Sequence, residues 1–351
     1  MDTNPSVHQP RCCIPGRPEQ PSLDYSWALR REYSGLARRI RNSYEDFRGQ
    51  HRNEVRQTLL PAYRVIETAS LTVKTTEECY PCLGRLVRQA AELATEDPDL
   101  RARVIEEGMK LLQLEFSPQK TSIAVAMPLH RMVKAITGNR DPYLRMKEAE
   151  VAMARQLDLL RDSGCQEGLR SDIILAVRGN TIDFFRDAEE VRRDLMLPVE
   201  FAIDDIGKLE AKLEGARNIL YLADNAGEVL FDLRLVRRLG DYATVTYVVK
   251  ESPIQNDIAR SDLDYFGLAG ELPRVITTGT DTPGVDMDQA SSEFCSEFEA
   301  ADLVLAKGMG YWETLSELPP TGNVFHLLKA KCLPVANSLG VELDSYVALL
   351  R

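Results

Sequence analysis

From residue 216 onward the chain is punctuated by short apolar runs at 218–223, 244–249, 274–278, 301–306 and 332–336, each followed by polar or glycine-containing sequence. Between them, at 227–239, about 256–266, 288–300 and 323–331, apolar residues recur at helical spacing. A strand that leads through a helix to a parallel neighbour closes as a right-handed crossover. This alternation therefore predicts α/β architecture with a doubly wound, mostly parallel sheet. Pro334 falls inside the last run, which predicts an edge strand there, because proline lacks the N–H a central ladder needs.

The preceding part reads differently. Segments near 24–49, 53–70, 80–96, 99–115, 120–137, 143–163, 168–187 and 199–213 carry the helical pattern, broken at Pro98-Asp99 and Gly138-Asn139. Residues 1–21 hold Pro5, Pro10, Pro15, Pro18 and Pro21 with little apolar material, which reads as a flexible tail. The expected organisation is a tail at 1–21, a helical subdomain at 22–215 and an α/β subdomain at 216–351. With 351 residues, 44% of them hydrophobic, there is ample chain for a buried core.

Charge and composition narrow the function. A net charge of −11 disfavours nucleic-acid phosphate as a partner. No apolar run approaches the roughly 18 residues of a membrane helix, and no hydrophobic segment marks a secretory signal, so a cytoplasmic setting is expected. Seven cysteines, an odd number, read as free thiols in a reducing compartment, and four scattered histidines make a histidine-rich zinc centre improbable. The oligomeric state leaves no mark in the sequence.

In an open parallel sheet, ligands bind beyond the carboxyl ends of the strands. The sequences there are Asp224-Asn-Ala-Gly-Glu228, then 250–257 ending in Asn256-Asp257, then 278–284, then Lys307-Gly-Met-Gly310 and finally Asn337-Ser-Leu-Gly340. Asp224, Asn225 and Asp257 make a hard oxygen set, suited to Mg²⁺ or Mn²⁺ rather than to a thiolate-seeking metal. The structural alternative for Asp224 is a helix N-cap. Glu228 either complements the following helix dipole or orients, and accepts a proton from, a metal-bound water. Lys307 with Gly308, Met309 and Gly310 reads as a phosphate grip, an ammonium beside backbone N–H groups, or else as an exposed turn.

Other motifs are less directive. No Gly-x-Ser-x-Gly elbow occurs, and no apolar strand runs into Asp286-Met-Asp288. Cys79-Tyr-Pro-Cys82 opens a helix and has no second cysteine pair nearby, which favours two reduced, mostly buried thiols. Gly179-Asn180 interrupts an apolar helix. Asn180 and Asp183 there either face the substrate cleft or form a kink.

Taken in order, Cys79-x-x-Cys82, Asp141-Pro-Tyr143, Gly179-Asn-x-Ile-Asp183, Asp224-Asn-Ala-Gly-Glu228, Asn256-Asp257, Lys307-Gly-x-Gly310 and Lys331-Cys-x-Pro-Val-Ala336 resemble the damage-control phosphatase family over about 75–350. The Cys-x-x-Cys looks like the mark of one subfamily. The resemblance implies metal-dependent phosphohydrolase activity, with a helical N-terminal part and an α/β C-terminal part. It places the divalent metal (Mn²⁺, Co²⁺, Ni²⁺ or Mg²⁺) on Asp224, Asn225 and Asp257. It places phosphate on Lys307 through Gly310, and Glu228 and Asn180 along the pocket. Its substrates are small phosphorylated metabolites, such as sugar phosphates or damaged cofactor precursors. One branch is described as an S-adenosylmethionine-dependent carboxyl methyltransferase. Tyr311 and Trp312 are expected to narrow or reshape the pocket.

The expected function is therefore hydrolysis of small phosphate monoesters, with Asp224 and Glu228 as catalytic residues. The rivals are carboxyl methyl transfer, for which no glycine-rich adenosine fingerprint is visible, and non-catalytic sensing of a phosphometabolite.

Overall fold

The computed structural model describes residues 72–158, 168–180, 193 and 197–351. The tail at 1–21, the segment 22–71 and Asp183 lie outside the described residues.

Among the described residues, five helices come first: α1 (Cys79–Ala94), α2 (Pro98–Glu115), α3 (Ser122–Thr137), α4 (Leu144–Asp158) and α5 (Leu169–Gly179). Their ends follow capping chemistry. The Asp97 side chain accepts from the N–H groups of Asp99 and Leu100 with Pro98 opening α2. Thr121 caps α3, which closes on left-handed Gly138. Helices α1 to α3 bury Leu83, Val87, Leu112, Val125 and Leu129 against one another.

There follow β1 (Phe201–Asp204), α6 (Ile206–Leu213), β2 (Asn218–Leu222), α7 (Val229–Gly240), β3 (Thr244–Val249), α8 (Arg260–Tyr265), β4 (Arg274–Thr277), α9 (Ser292–Ala300), β5 (Leu303–Lys307), α10 (Gly308–Leu315), β6 (Val324–Lys329), α11 (Leu333–Leu339) and β7 (Tyr346–Leu350). Among the described residues, seven strands form one sheet in the order β1-β7-β6-β5-β2-β3-β4, whose β6–β7 pair alone is antiparallel.

Alternate residues of the central strands feed two cores, as the period of two requires. Ile219, Tyr221, Tyr247, Leu303 and Leu305 pack with residues of α4 to α7, while Leu220, Leu222, Val248, Val304 and Ala306 pack with α9 and α10. Helices thus cover both faces of a mostly parallel sheet, as the alternation of runs predicts.

Four expectations are corrected. Residues 332–336 do not form an edge strand. They open α11, where Pro334 occupies the first turn and its missing N–H costs nothing. The loop expected at Asn337-Ser-Leu-Gly340 is accordingly the end of that helix, closed by left-handed Gly340. Residues 323–331 hold β6 rather than a helix: Val324, Leu327 and Leu328 mimic helical spacing, but Phe325 through Leu328 are all buried, as a strand covered on both faces must be. The helix expected at 199–213 begins instead as β1, which pairs with β7. No helix among the described residues is long and apolar enough to cross a membrane.

Candidate metal centre

The strand order reverses between β2 and β5: β3 and β4 continue to one side of β2, and β5 lies on the other, with Leu222 beside Ala306. Such a switch point leaves a crevice at the carboxyl ends. Asp224 leaves β2 at this point and Lys307 ends β5.

The turns after β2 and β3 are stitched together. Asn225 and Asp257 form an antiparallel bridge, Ala226 N–H donates to Asn256 O at 2.8 Å, and Ile258 N–H donates to Asp224 O at 2.9 Å. Asp224, Asn225 and Asp257, foreseen from two distant stretches of sequence, are thereby brought together. Gln255, immediately before Asn256-Asp257, adopts a positive φ of 44°. Its amide lies 3.0 Å from the buried His130 ring, which burial, aided by Lys134, pushes down to about 4, so the neutral ring accepts the bond.

Gly308 makes the crevice possible. Its φ is 79°, and a Cβ there would collide with the Asp224 carboxylate. Asp224 is partly exposed, and its Oδ2 accepts from Asn180 Nδ2 at 2.8 Å and Asn225 Nδ2 at 3.3 Å. Its close surroundings push the carboxyl well above the usual range, through desolvation first and then repulsion by Glu228 and Asp257, against the pull of Lys331 and Lys307. Asp257 is 4% exposed, and burial pushes it up to about 6 despite Lys250, whose Nζ lies 3.6 Å from Oδ2. That oxygen is buried with no hydrogen-bond partner. A buried carboxylate oxygen left unbonded is costly unless a cation or donor meets it.

Among the described residues, no three His, Cys, Asp or Glu side chains form a metal-ligating group. The donor set at this point is two carboxylates and one amide, the hard-oxygen chemistry of Mg²⁺ or Mn²⁺. The Asp257 oxygen, which accepts no hydrogen bond and has the Lys250 ammonium no nearer than 3.6 Å, and the mutually repelling acids fit such an ion.

Lys307 is placed otherwise than expected. It is fully buried, and Nζ donates to Asp232 Oδ1 at 2.6 Å, Glu228 Oε2 at 2.8 Å and Ala176 O at 3.0 Å. An ammonium has three donors, and all three are taken, so Lys307 has none left for an anion. Burial opposes its charge, but Asp232 and Glu228 outweigh burial and hold it above its ordinary range. Glu228 is also sequestered, at 2% exposure: its Oε1 accepts Asn180 and Asn225 amides, both at 2.7 Å. It braces Asn225 from behind rather than facing a water. Asn180, likewise buried, braces Asp224 instead of lining the opening.

Gly308, Met309 and Gly310 form the first turn of α10, where N–H groups lack intrahelical partners. Tyr311 and Trp312 do not narrow the opening: both are fully buried, with Tyr311 OH 2.9 Å from Lys250 Nζ and Trp312 Nε1 donating to Ser338 at 2.8 Å. Three further participants carry no role in the sequence motifs. Asp232 lies one helical turn past Glu228 on the α7 core face. Lys250 ends β3 and is fully buried. Lys331 is exposed at the start of the α11 turn and bears electrostatically on Asp224. Lys250 opens the 250–257 stretch and Lys331 opens Lys331-Cys-x-Pro-Val-Ala336, whereas Asp232 lies in no motif. Cys79 opens α1 with its buried Sγ accepting Thr76 N–H at 3.4 Å, whereas Cys82 is exposed, so the pair is only half buried.

Comparisons with known proteins agree with this architecture. The crystal structure of a DUF89 family protein from Pyrococcus horikoshii superposes with a TM-score of 0.73 at 34% identity, over 79% of this chain and 99% of that one. An uncharacterized protein of Methanocaldococcus jannaschii is 35% identical over 80% of this chain and 96% of its own length. A protein of Archaeoglobus fulgidus named damage-control phosphatase is 31% identical over 77% of this chain and 96% of its own. The model of the damage-control phosphatase ARMT1-like domain matches residues 75–347, and this chain belongs to that family.

Proposed function

We propose that the chain is a divalent-metal-dependent phosphatase for small phosphate monoesters, such as sugar phosphates or damaged phosphometabolites. The observation that carries the reading is the convergence of Asp224, Asn225 and Asp257 on bridged turns, with the buried Asp257 Oδ2 accepting no hydrogen bond and held only at ion-pair distance by Lys250. The relatives named damage-control phosphatase support the reaction class.

Asp224, Asn225 and Asp257 would hold the ion, with Mn²⁺, Co²⁺, Ni²⁺ or Mg²⁺ all compatible with the donor set. When bound, such an ion polarises phosphoryl oxygens and lowers the pKa of a water. The backbone N–H groups of Gly308, Met309 and Gly310, at the positive end of α10, would receive the phosphate oxygens. Lys331, exposed and bearing electrostatically on Asp224, supplies the solvent-facing cation that the buried Lys307 does not. Asn180 and Glu228 hold Asp224 and Asn225 in place through their amides. Lys307 offsets the charge of Glu228 and Asp232 behind the site.

The test is a panel of sugar phosphates offered to chelator-treated protein, with and without added Mn²⁺, reading free phosphate. Phosphate release that disappears on chelation and returns with Mn²⁺ is expected. Release indifferent to both treatments refutes the metal requirement, and no release with any monoester refutes the reaction class.

A further inference from the structure

Glu150 sits in α4, in the helical part of the chain, fully buried. Its Oε1 accepts Asn256 Nδ2 at 2.6 Å and its Oε2 accepts Gly227 N–H at 3.4 Å. Gly227 lies two residues past Asn225, and Asn256 immediately precedes Asp257. One carboxyl thus touches both turns that carry the metal-site oxygens. The approach is close: a Cβ on Gly227 would stand 2.9 Å from Glu150 Cβ.

Lys147, one helical turn earlier on the same face, is also fully buried. Its Nζ lies 2.8 Å from both Asp141 and Asp262, and Asp262 Oδ2 accepts Ala259 N–H at 2.9 Å. Helix α4 therefore grips the segment 256–262 on both sides of Asp257. Apolar residues at 147 and 150 would pack this face without desolvating charge, and buried ion pairs are seldom worth more than such packing. What the polar pair adds is a defined position for the turns.

We propose that Glu150 is a positioning residue for the metal site, fixing the Asp224-Asn225 turn and Asp257 against α4 at the separation where their oxygens share one cation. The inference rests on the metal reading above. Hydrogen-bonded partners behind first ligands typically change metal affinity by about 10- to 100-fold when removed. Glu150→Ala loses both acceptors. Glu150→Gln keeps one for Asn256 and presents an amide N–H₂ to the Gly227 N–H.

Wild type, Glu150→Gln and Glu150→Ala, all stripped by chelation, are titrated calorimetrically with Mn²⁺, and thermal midpoints are read on the same metal-free samples. Expected is a Kd raised about 10- to 100-fold in Glu150→Ala and by a smaller factor in Glu150→Gln. Unchanged Kd in the variants beside a wild type that binds overturns this inference alone, whatever the midpoints do, because a merely structural role lowers midpoints and leaves affinity intact. A wild type that binds no Mn²⁺ overturns the metal reading and this inference with it. Should Glu150→Ala fail to fold, Glu150→Gln decides: a wild-type Kd there is the overturning result.

Discussion

Lys307 Nζ stands 2.6 Å from Asp232 Oδ1, and neither side chain reaches solvent. With Glu228 at 2.8 Å, one ammonium sits between two carboxyl groups directly behind the switch point. Burial pushes Asp232 up to about 6, against the pull of Lys307. Removing one partner of a buried ionic group strands the others, at a cost of roughly 3–5 kcal/mol. Lys307→Ala is expected to lower the urea midpoint by an amount corresponding to that loss. A wild-type midpoint combined with a raised KM for phosphate esters would instead return Lys307 to the role of direct anion grip.

Asp224 is pushed toward protonation by burial and by its acidic neighbours Glu228 and Asp257. Asp224→Asn removes that repulsion, so the metal-free protein is expected to melt higher than metal-free wild type. Mn²⁺ affinity should fall by more than the roughly 100-fold that loss of a supporting hydrogen bond costs. Differential scanning calorimetry and metal titration read the two effects separately. A lower metal-free midpoint would show that Asp224 is stabilised, not strained, where it stands.

Gly308 combines a φ of 79° with direct contact to the Asp224 carboxylate. An alanine there meets a left-handed penalty of about 1–2 kcal/mol and displaces Asp224 as well. Gly308→Ala is expected to lose at least about tenfold in phosphatase kcat/KM, because it displaces Asp224 and a misplacement of about 1 Å at a reacting site can cost on the order of 100-fold. Wild-type kinetics in this variant would place the reacting centre away from the β2–β5 crevice.

Glu313 is 7% exposed on α10 and accepts a hydrogen bond from Ser122 of α3. Burial pushes its carboxyl up to about 7, against that bond. The folded-state pKa is raised, so the contribution to stability is fully present below the ordinary value of 4.5 and is lost as pH climbs to about 7. A shift of that size corresponds to roughly 3 kcal/mol. Stability of Glu313→Gln relative to wild type should therefore rise by about that amount between pH 4.5 and 7 and stay level above it. A difference that does not vary with pH would mean that Glu313 ionises in the native protein much as it does unfolded.

The strand ends were legible because buried parallel strands read as continuous apolar runs and the chemistry follows them directly. That is why Asp224, Asn225, Asp257 and the Gly308–Gly310 turn were foreseen. The segments 323–331 and 332–336 were misread for opposite reasons. In β6 the two buried faces erase the period-two signal, leaving Val324, Leu327 and Leu328 at helical spacing. In α11 a proline that forbids a central strand is at home in a helix's first turn.

Side-chain direction was the larger gap. Lys307, Glu228 and Asn180 were correctly gathered at one place, yet the motif says nothing of whether an ammonium points out of a crevice or back into the sheet. Asp232 and Lys307 face each other across α7 and β5, 75 residues apart in the chain. Glu150 and Lys147 lie in a helix predicted only as a helix, and their partners come from the distant 256–262 turn.

Local pattern by itself determined the class of fold, the strands β2 to β5 and the residues clustered at their carboxyl ends, because burial periodicity and turn chemistry act over a few neighbours. Tertiary packing alone decided the reversed strand order, the antiparallel β7 and which of the gathered polar groups face the crevice. Those depend on contacts between segments tens of residues apart, where the charge of one side chain is set by what another part of the chain brings against it.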